Sequence, residues 1–96
     1  MKPSLALEAN KEAVRALVTK HRAANPRVFG SVVRGEDGEG SDLDILIDPL
    51  PEATYLDQWD LQDELEKLLG VKVDLVTEER LRPRIRAHAL AEAEPL

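Results

Sequence analysis

Residues 28–48 read VFGSVVRGEDGEGSDLDILID. A short apolar run ends in Gly30-Ser31. A glycine-broken acidic loop, Glu36 to Gly40, follows and holds no apolar residue. Asp42-Leu43-Asp44 then opens a strongly apolar strand, Leu43 to Asp48. Leu43, Ile45 and Ile47 fall on one face of this strand and Asp42, Asp44 and Leu46 on the other. Pro49 and Pro51 stop it. A strand, a tight turn and a second strand with acids on one face set the frame for the rest of the chain.

Upstream, residues ~4–24 read as a helix with an apolar stripe at Leu7, Val14, Leu17 and Val18. Its start carries no clear capping signal. Asn25-Pro26 is expected to end it, since proline disfavours helical dihedrals in the preceding residue. His21 is expected at the edge of the stripe as a structural histidine. Arg27 to Phe29 is the first strand, and Ser31 to Arg34 makes about one helical turn.

Downstream, Thr54-x-x-Asp57 resembles a capping box. The helix it starts carries Leu61, Leu65, Leu68 and Leu69 as its buried stripe, with Gly70 as a C-terminal stop. Tyr55, Leu56 and Trp59 fall on another side and are expected to pack under the proline loop; the alternative is a partner surface. Val71 to Val76 is the third strand, and Thr77 to Leu81 a turn or short helix. Pro83 suits the first position of a final helix to about Ala93, docking through Ile85, Ala89 and Leu90. The tail after Ala91 is expected to fray. The fold class is α/β: a small mixed sheet of three or more strands with helices packed on it, in a single domain over residues 1–96.

The 96 residues suit one small domain, expected to bury ~60–70% of its unfolded surface. A hydrophobic fraction of 43% and a charged fraction of 33% are ordinary for a globular protein and too apolar for disorder. The sequence has no cysteine, which excludes disulfides, thiolate nucleophiles and cysteine metal sites. There is no apolar run of membrane-spanning length and no signal peptide at Met1-Lys2-Pro3, so a cytoplasmic protein is expected. The net charge of -6 argues against a stable grip on nucleic acid. Against that balance, Arg80, Arg82, Arg84 and Arg86 alternate near the C-terminus.

The candidate chemistry lies with the acids. Asp42 and Asp44, two apart in a strand, point to the same side with backbones ~6–7 Å apart. Two like charges opening an apolar strand repel and resist desolvation, which a bound cation relieves. Oxygen ligands alone suit Mg²⁺ or Mn²⁺ rather than zinc; a solvated strand end is the plain alternative. Asp74 is a lone carboxylate in Lys72-Val73-Asp74-Leu75-Val76. If that strand neighbours the second, three carboxylates share one face. Gly30 lets backbone approach a ligand closely, and the following turn aims N–H groups and the Ser31 hydroxyl at an anion. Arg34 contacts phosphate or acceptor, or pairs with Glu36 or Asp37. The spacing Gly30 to Gly35 mimics a P-loop, but Glu36-Asp37 stands where Lys-Ser/Thr is required. Asp37 to Gly40 lacks the ligand order of a calcium loop. The arginine run either neutralises phosphate or docks an acidic partner, or forms a solvated face balancing Glu78, Glu79, Glu92 and Glu94.

Taken together, Gly30-Ser31, ten residues, then Asp42-Leu43-Asp44 resembles the signature of the DNA polymerase β-like nucleotidyltransferase superfamily. Val28-Phe29-Gly30-Ser31, Arg34-Gly35 and Ser41-Asp42-Leu43-Asp44 resemble its small-protein branch, the minimal nucleotidyltransferases, with Lys72 to Val76 as the third-aspartate strand. The likeness runs from the first helix to about Leu90, without departure at the motif positions. It implies that Gly30 and Ser31 hold a nucleoside triphosphate. It implies further that Asp42 and Asp44 bind two Mg²⁺ ions and that Asp74 completes the site near the acceptor hydroxyl. The implied reaction moves a nucleoside monophosphate, AMP from ATP, and releases pyrophosphate. Members of the branch are often antitoxins paired with a small all-helical HEPN toxin, which some adenylylate on tyrosine. A chain this short is expected to borrow part of its acceptor site from that partner. Two alternatives are a non-catalytic antitoxin that masks its toxin, and a small-molecule nucleotidyltransferase.

Overall fold

A computed structural model describes residues 1–96. Three helices, α1 (Pro3–Lys20), α2 (Tyr55–Leu69) and α3 (Pro83–Glu92), surround four strands, β1 (Ala23–Phe29), β2 (Leu43–Pro49), β3 (Val73–Val76) and β4 (Glu94–Pro95). The strand order is β3-β2-β1-β4. β1 runs antiparallel to β2 and β4, whereas β2 and β3 are parallel. The parallel pair needs a crossover, and α2 supplies it.

The main core lies on one face of the sheet. Leu43, Ile45 and Ile47 of β2 and Val73 and Leu75 of β3 pack there against Ala6, Leu7, Val14 and Val18 of α1 and Leu61, Leu65 and Leu69 of α2. The short dimension of the molecule is 18 Å, the depth of a sheet carrying one helix layer. The opposite face receives Asp44, Leu46 and Asp48 of β2. Leu46 is fully buried there, with the 3₁₀ turn Glu78–Arg80 against its strand and α3 lying against β1.

Local chemistry explains most element ends. The Thr54 hydroxyl accepts from the Asp57 N–H while the Asp57 carboxylate accepts from the Thr54 N–H, a complete capping box. Gly70 closes α2 at φ 68°, a left-handed position that costs glycine little. α1 starts without a cap of its own. Asp37, 33 residues away, accepts from the Ser4 N–H at 2.9 Å. It thereby satisfies an orphan donor of the first turn.

Several expectations are corrected. α1 ends at Lys20, not Ala24, and Asn25-Pro26 lies within β1, not at a helix end. A bulge between Ala24 and Arg27 admits the proline, because the extra residue lifts it out of the hydrogen-bond ladder. Asn25 takes φ 51° and its amide donates to Asp48. β3 begins at Val73, two residues later than expected. Leu68 is exposed beside the α2 stripe, and Ile85 and Leu90 stay exposed so that α3 buries only Ala89. The tail does not fray: Glu94 and Pro95 pair with Val28 and Arg27, and the Leu96 carbonyl accepts from the Arg15 guanidinium. Tyr55, Leu56 and Trp59 do not pack under the proline loop and stand 64–71% exposed. His21 is structural as expected, its ring bonded to the Glu64 carboxylate between α1 and α2. No helix is long and apolar enough to cross a membrane.

Candidate active site

β2 and β3 bring two of the acids together. Asp44 and Asp74 are direct partners across the parallel ladder. Partnered residues project from the same face, which sets these two carboxyls beside one another. The electrostatics reflect that crowding. Burial pushes Asp44 up to about 6, and the charges of Asp74 and Asp42 push the same way, against the opposing pull of Arg34. Asp42 is exposed one residue before β2 and reaches Asp44 through its charge. The three carboxylates therefore share one end of the β2–β3 pair without closing into a finished three-ligand set.

Gly30 lies directly against this group. Val28 and Phe29 lead β1 into it, with Phe29 partnered to Asp44. Gly30 sits at φ +81°, and a Cβ added there would lie 3.2 Å from Asp44 Cγ and closer still to its Oδ2. Glycine is thus required twice, for its backbone conformation and for the space. The chain then turns through the 3₁₀ segment Gly30–Val32, with Ser31 half-buried at its crest. The Gly30 carbonyl accepts from the N–H groups of Val33 and Arg34. The N–H of Gly30 meets an anion that belongs to the chain itself. That anion is the carboxylate of Glu92 at 2.8 Å.

Arg34 completes the arrangement. Its Nε donates to Glu36 at 2.7 Å, and its Nη1 donates to both oxygens of Glu92 at 3.0 and 3.1 Å. Of the expected pairings, Glu36 holds and Asp37 does not, since Asp37 caps α1. Burial raises the Glu92 carboxyl, but the Gly30 N–H and the Arg34 guanidinium outweigh it and hold the carboxyl below its ordinary range. The Ser4 N–H does the same for Asp37. The sequence offered Glu92 only as a counter-charge to the arginine run, not as part of this turn. Glu92 lies 62 residues from Gly30, on a helix whose apolar pattern gives no hint of which side faces the turn. In the arginine run, Arg80, Arg82 and Arg84 are exposed and Arg86 half-buried, and Glu92, an expected counter-charge, is taken by Arg34.

The donor set suits a hard cation. Every candidate ligand is a carboxylate oxygen, and a divalent ion beside Asp44 and Asp74 would offset the repulsion that their crowding creates. The Gly30 N–H and Arg34, on the adjoining side, form an anion receptor. A carboxylate end and an anion-binding end, joined where Gly30 touches Asp44, match the metal-bound phosphates of a nucleotide.

Comparison with known proteins identifies the family. Residues 10–95 match the family described as nucleotidyltransferase domain. Protein adenylyltransferase MntA of Thermococcus cleftensis is 46% identical over 65 residues, 68% of this chain and 66% of that protein. A solved structure of a candidate minimal nucleotidyltransferase is 49% identical, covers 97% of this chain and 95% of its own, and superposes with a TM-score of 0.87. At 18% identity the likeness is one of fold alone. Such is the complex of a tri-AMPylated HEPN toxin of Shewanella oneidensis with its MNT antitoxin, with a TM-score of 0.68 over 92% of this chain and 69% of that one. With the family matched along most of its length, this chain belongs to the nucleotidyltransferase domain family, as an enzyme of its minimal branch.

Proposed function

We propose that this enzyme transfers AMP from ATP to a hydroxyl of a protein partner, with Mg²⁺ (two ions; Mn²⁺ as substitute) held by Asp42, Asp44 and Asp74. The observation that carries the proposal is the facing pair Asp44–Asp74 set against Gly30. Bound metal would neutralise the triphosphate and lower the pKa of the attacking hydroxyl. Gly30, Ser31 and Arg34 hold the β- and γ-phosphates and so fix the α-phosphorus beside Asp44. The acceptor oxygen forms the new bond to that phosphorus, and the bond to the bridging oxygen breaks. Pyrophosphate leaves with the electron pair, and Asp74, which is exposed, takes the hydroxyl proton.

The partner we propose is a small all-helical toxin of the HEPN kind, with this chain as its antitoxin. Support comes from the named activity of the Thermococcus cleftensis relative and the composition of the Shewanella oneidensis complex. The reading places the protein in the cytoplasm, where ATP and Mg²⁺ are at hand. No stable nucleic-acid contact enters the scheme.

A second reading, an antitoxin that masks its toxin without chemistry, is favoured by one observation. Tyr55, Leu56 and Trp59 form an exposed apolar strip on α2, the kind of surface a protein interface covers. Incubation with the partner, ATP and Mg²⁺ followed by mass spectrometry decides between the two. Adenylylated partner, absent with Asp42→Asn and Asp44→Asn, supports transfer. Full neutralisation by those variants overturns it and leaves the masking role. Modification of a free small molecule without any partner would point instead to a small-molecule nucleotidyltransferase.

A further inference from the structure

The anion receptor of the proposed site is not free. Glu92 spans it, accepting from the Gly30 N–H at 2.8 Å and from Arg34 Nη1 with both carboxylate oxygens. Its side chain is only 17% exposed, so the carboxylate is seated and not merely nearby. His88, one turn earlier on α3, places its Nε2 3.7 Å from the same carboxylate. The backbone fixes Glu92 from both sides. It is the last residue of α3, and Glu94 and Pro95 just beyond pair with Val28 and Arg27 of β1. The Leu96 N–H donates to the Pro26 carbonyl.

Resting on the nucleotide reading above, we propose that Glu92 is an internal phosphate mimic. It closes the phosphate-binding turn in the empty enzyme and must swing away before a nucleoside triphosphate can enter. The physical case has three parts. A carboxylate and a phosphate make the same charge-assisted hydrogen bonds to a backbone N–H and a guanidinium. Both cannot use the same donors at once, and two anions held a few ångströms apart repel. The competitor is tethered, so its effective concentration exceeds that of free carboxylate in solution. Occupancy by Glu92 lowers the apparent affinity for triphosphate by the fraction of molecules in which it is docked.

α3 thereby becomes a gate for the site. Arg84, Ile85 and Leu90 along it are exposed. A movement of its last turn draws Glu92 away from Gly30 and frees Arg34 for phosphate. The gate is set by one side-chain charge, so one substitution opens it.

The experiment is calorimetric titration of the full chain and of Glu92→Gln with two probes, MgATP and inorganic tripolyphosphate. For Glu92→Gln we expect affinity about five- to tenfold higher for both probes, the size suited to a partly exposed charge pair. The gain should vanish in Glu92→Gln combined with Arg34→Ala. Glu92→Ala carries the same expectation and serves if the glutamine variant does not fold. Wild type that binds both probes with the affinity of Glu92→Gln, or more tightly, overturns the gate and leaves the nucleotide reading standing. Failure of wild type and of both Glu92 variants to bind either probe overturns the nucleotide reading and the gate with it.

Discussion

Replacing Asp44 by Asn tests the electrostatics of the site before any partner is needed. Asn keeps the shape of a protonated carboxyl. In the folded chain the Asp44 carboxyl is pushed from its ordinary 3.8 up to about 6, first by burial and then by Asp74 and Asp42. That rise amounts to about 3 kcal/mol against the ionised form. Asp44 is only half-buried, and solvent screening reduces this to about 1–2 kcal/mol. The sign follows from linkage. Below 3.8 the carboxyl is protonated in both states and costs nothing. Between 3.8 and about 6 the unfolded chain ionises first, and stability is lost as pH rises. Above that window the loss is complete. Asp44→Asn should therefore be more stable than wild type at neutral pH by about 1–2 kcal/mol, or about 5–10 °C in Tm. Near pH 3.5 the two should coincide. Urea unfolding of both proteins across this range measures it. Millimolar Mg²⁺ should raise the wild-type midpoint and leave the variant's alone. A gain that persists in acid, or no gain at neutral pH, would refute the claim that Asp44 ionises at a cost the fold bears for its site.

Gly30→Ala places a methyl against the Asp44 carboxylate at a left-handed backbone position; it should cost about 1–3 kcal/mol and abolish Mg²⁺-dependent ATP binding by calorimetry. Asp37→Ala removes the cap on α1 and should cost about 1 kcal/mol in urea unfolding, while ATP affinity stays within about twofold. Leu61→Ala, in a fully buried position between α2 and the sheet, should cost about 2–5 kcal/mol by the same measure. Trp59 is the only tryptophan and is 67% exposed, so its fluorescence should shift to shorter wavelength when a partner covers α2 and stay unchanged with MgATP alone.

The readable parts of the sequence were those whose causes are local. Alternation in β2 gave its faces, the Thr54–Asp57 pair gave the start of α2, and Gly70 its end. The convergence of Asp44 and Asp74 followed from parity within strands and one assumption, that the strands are neighbours. What escaped depended on distant partners. The cap of α1 comes from Asp37, and the pairing that holds the tail comes from β1. The proline that looked like a helix stop is absorbed by a bulge, whose signal is the partner strand's register and not the residues beside it. The role of Glu92 was invisible for the same reason. It exists only because α3 crosses back to Gly30.

The parallel pairing of β2 with β3 has a consequence for the chain as it is made. Half of the acid pair lies before the α2 crossover and half after it. A growing polypeptide that has emerged only as far as Gly70 carries Gly30, Ser31 and Asp44 and still has no Asp74 to set beside them. On the proposed reading, the site is completed only after the crossover has been made. Glu92 emerges later still, so on the proposed reading the stopper reaches the site only after the acid pair has formed.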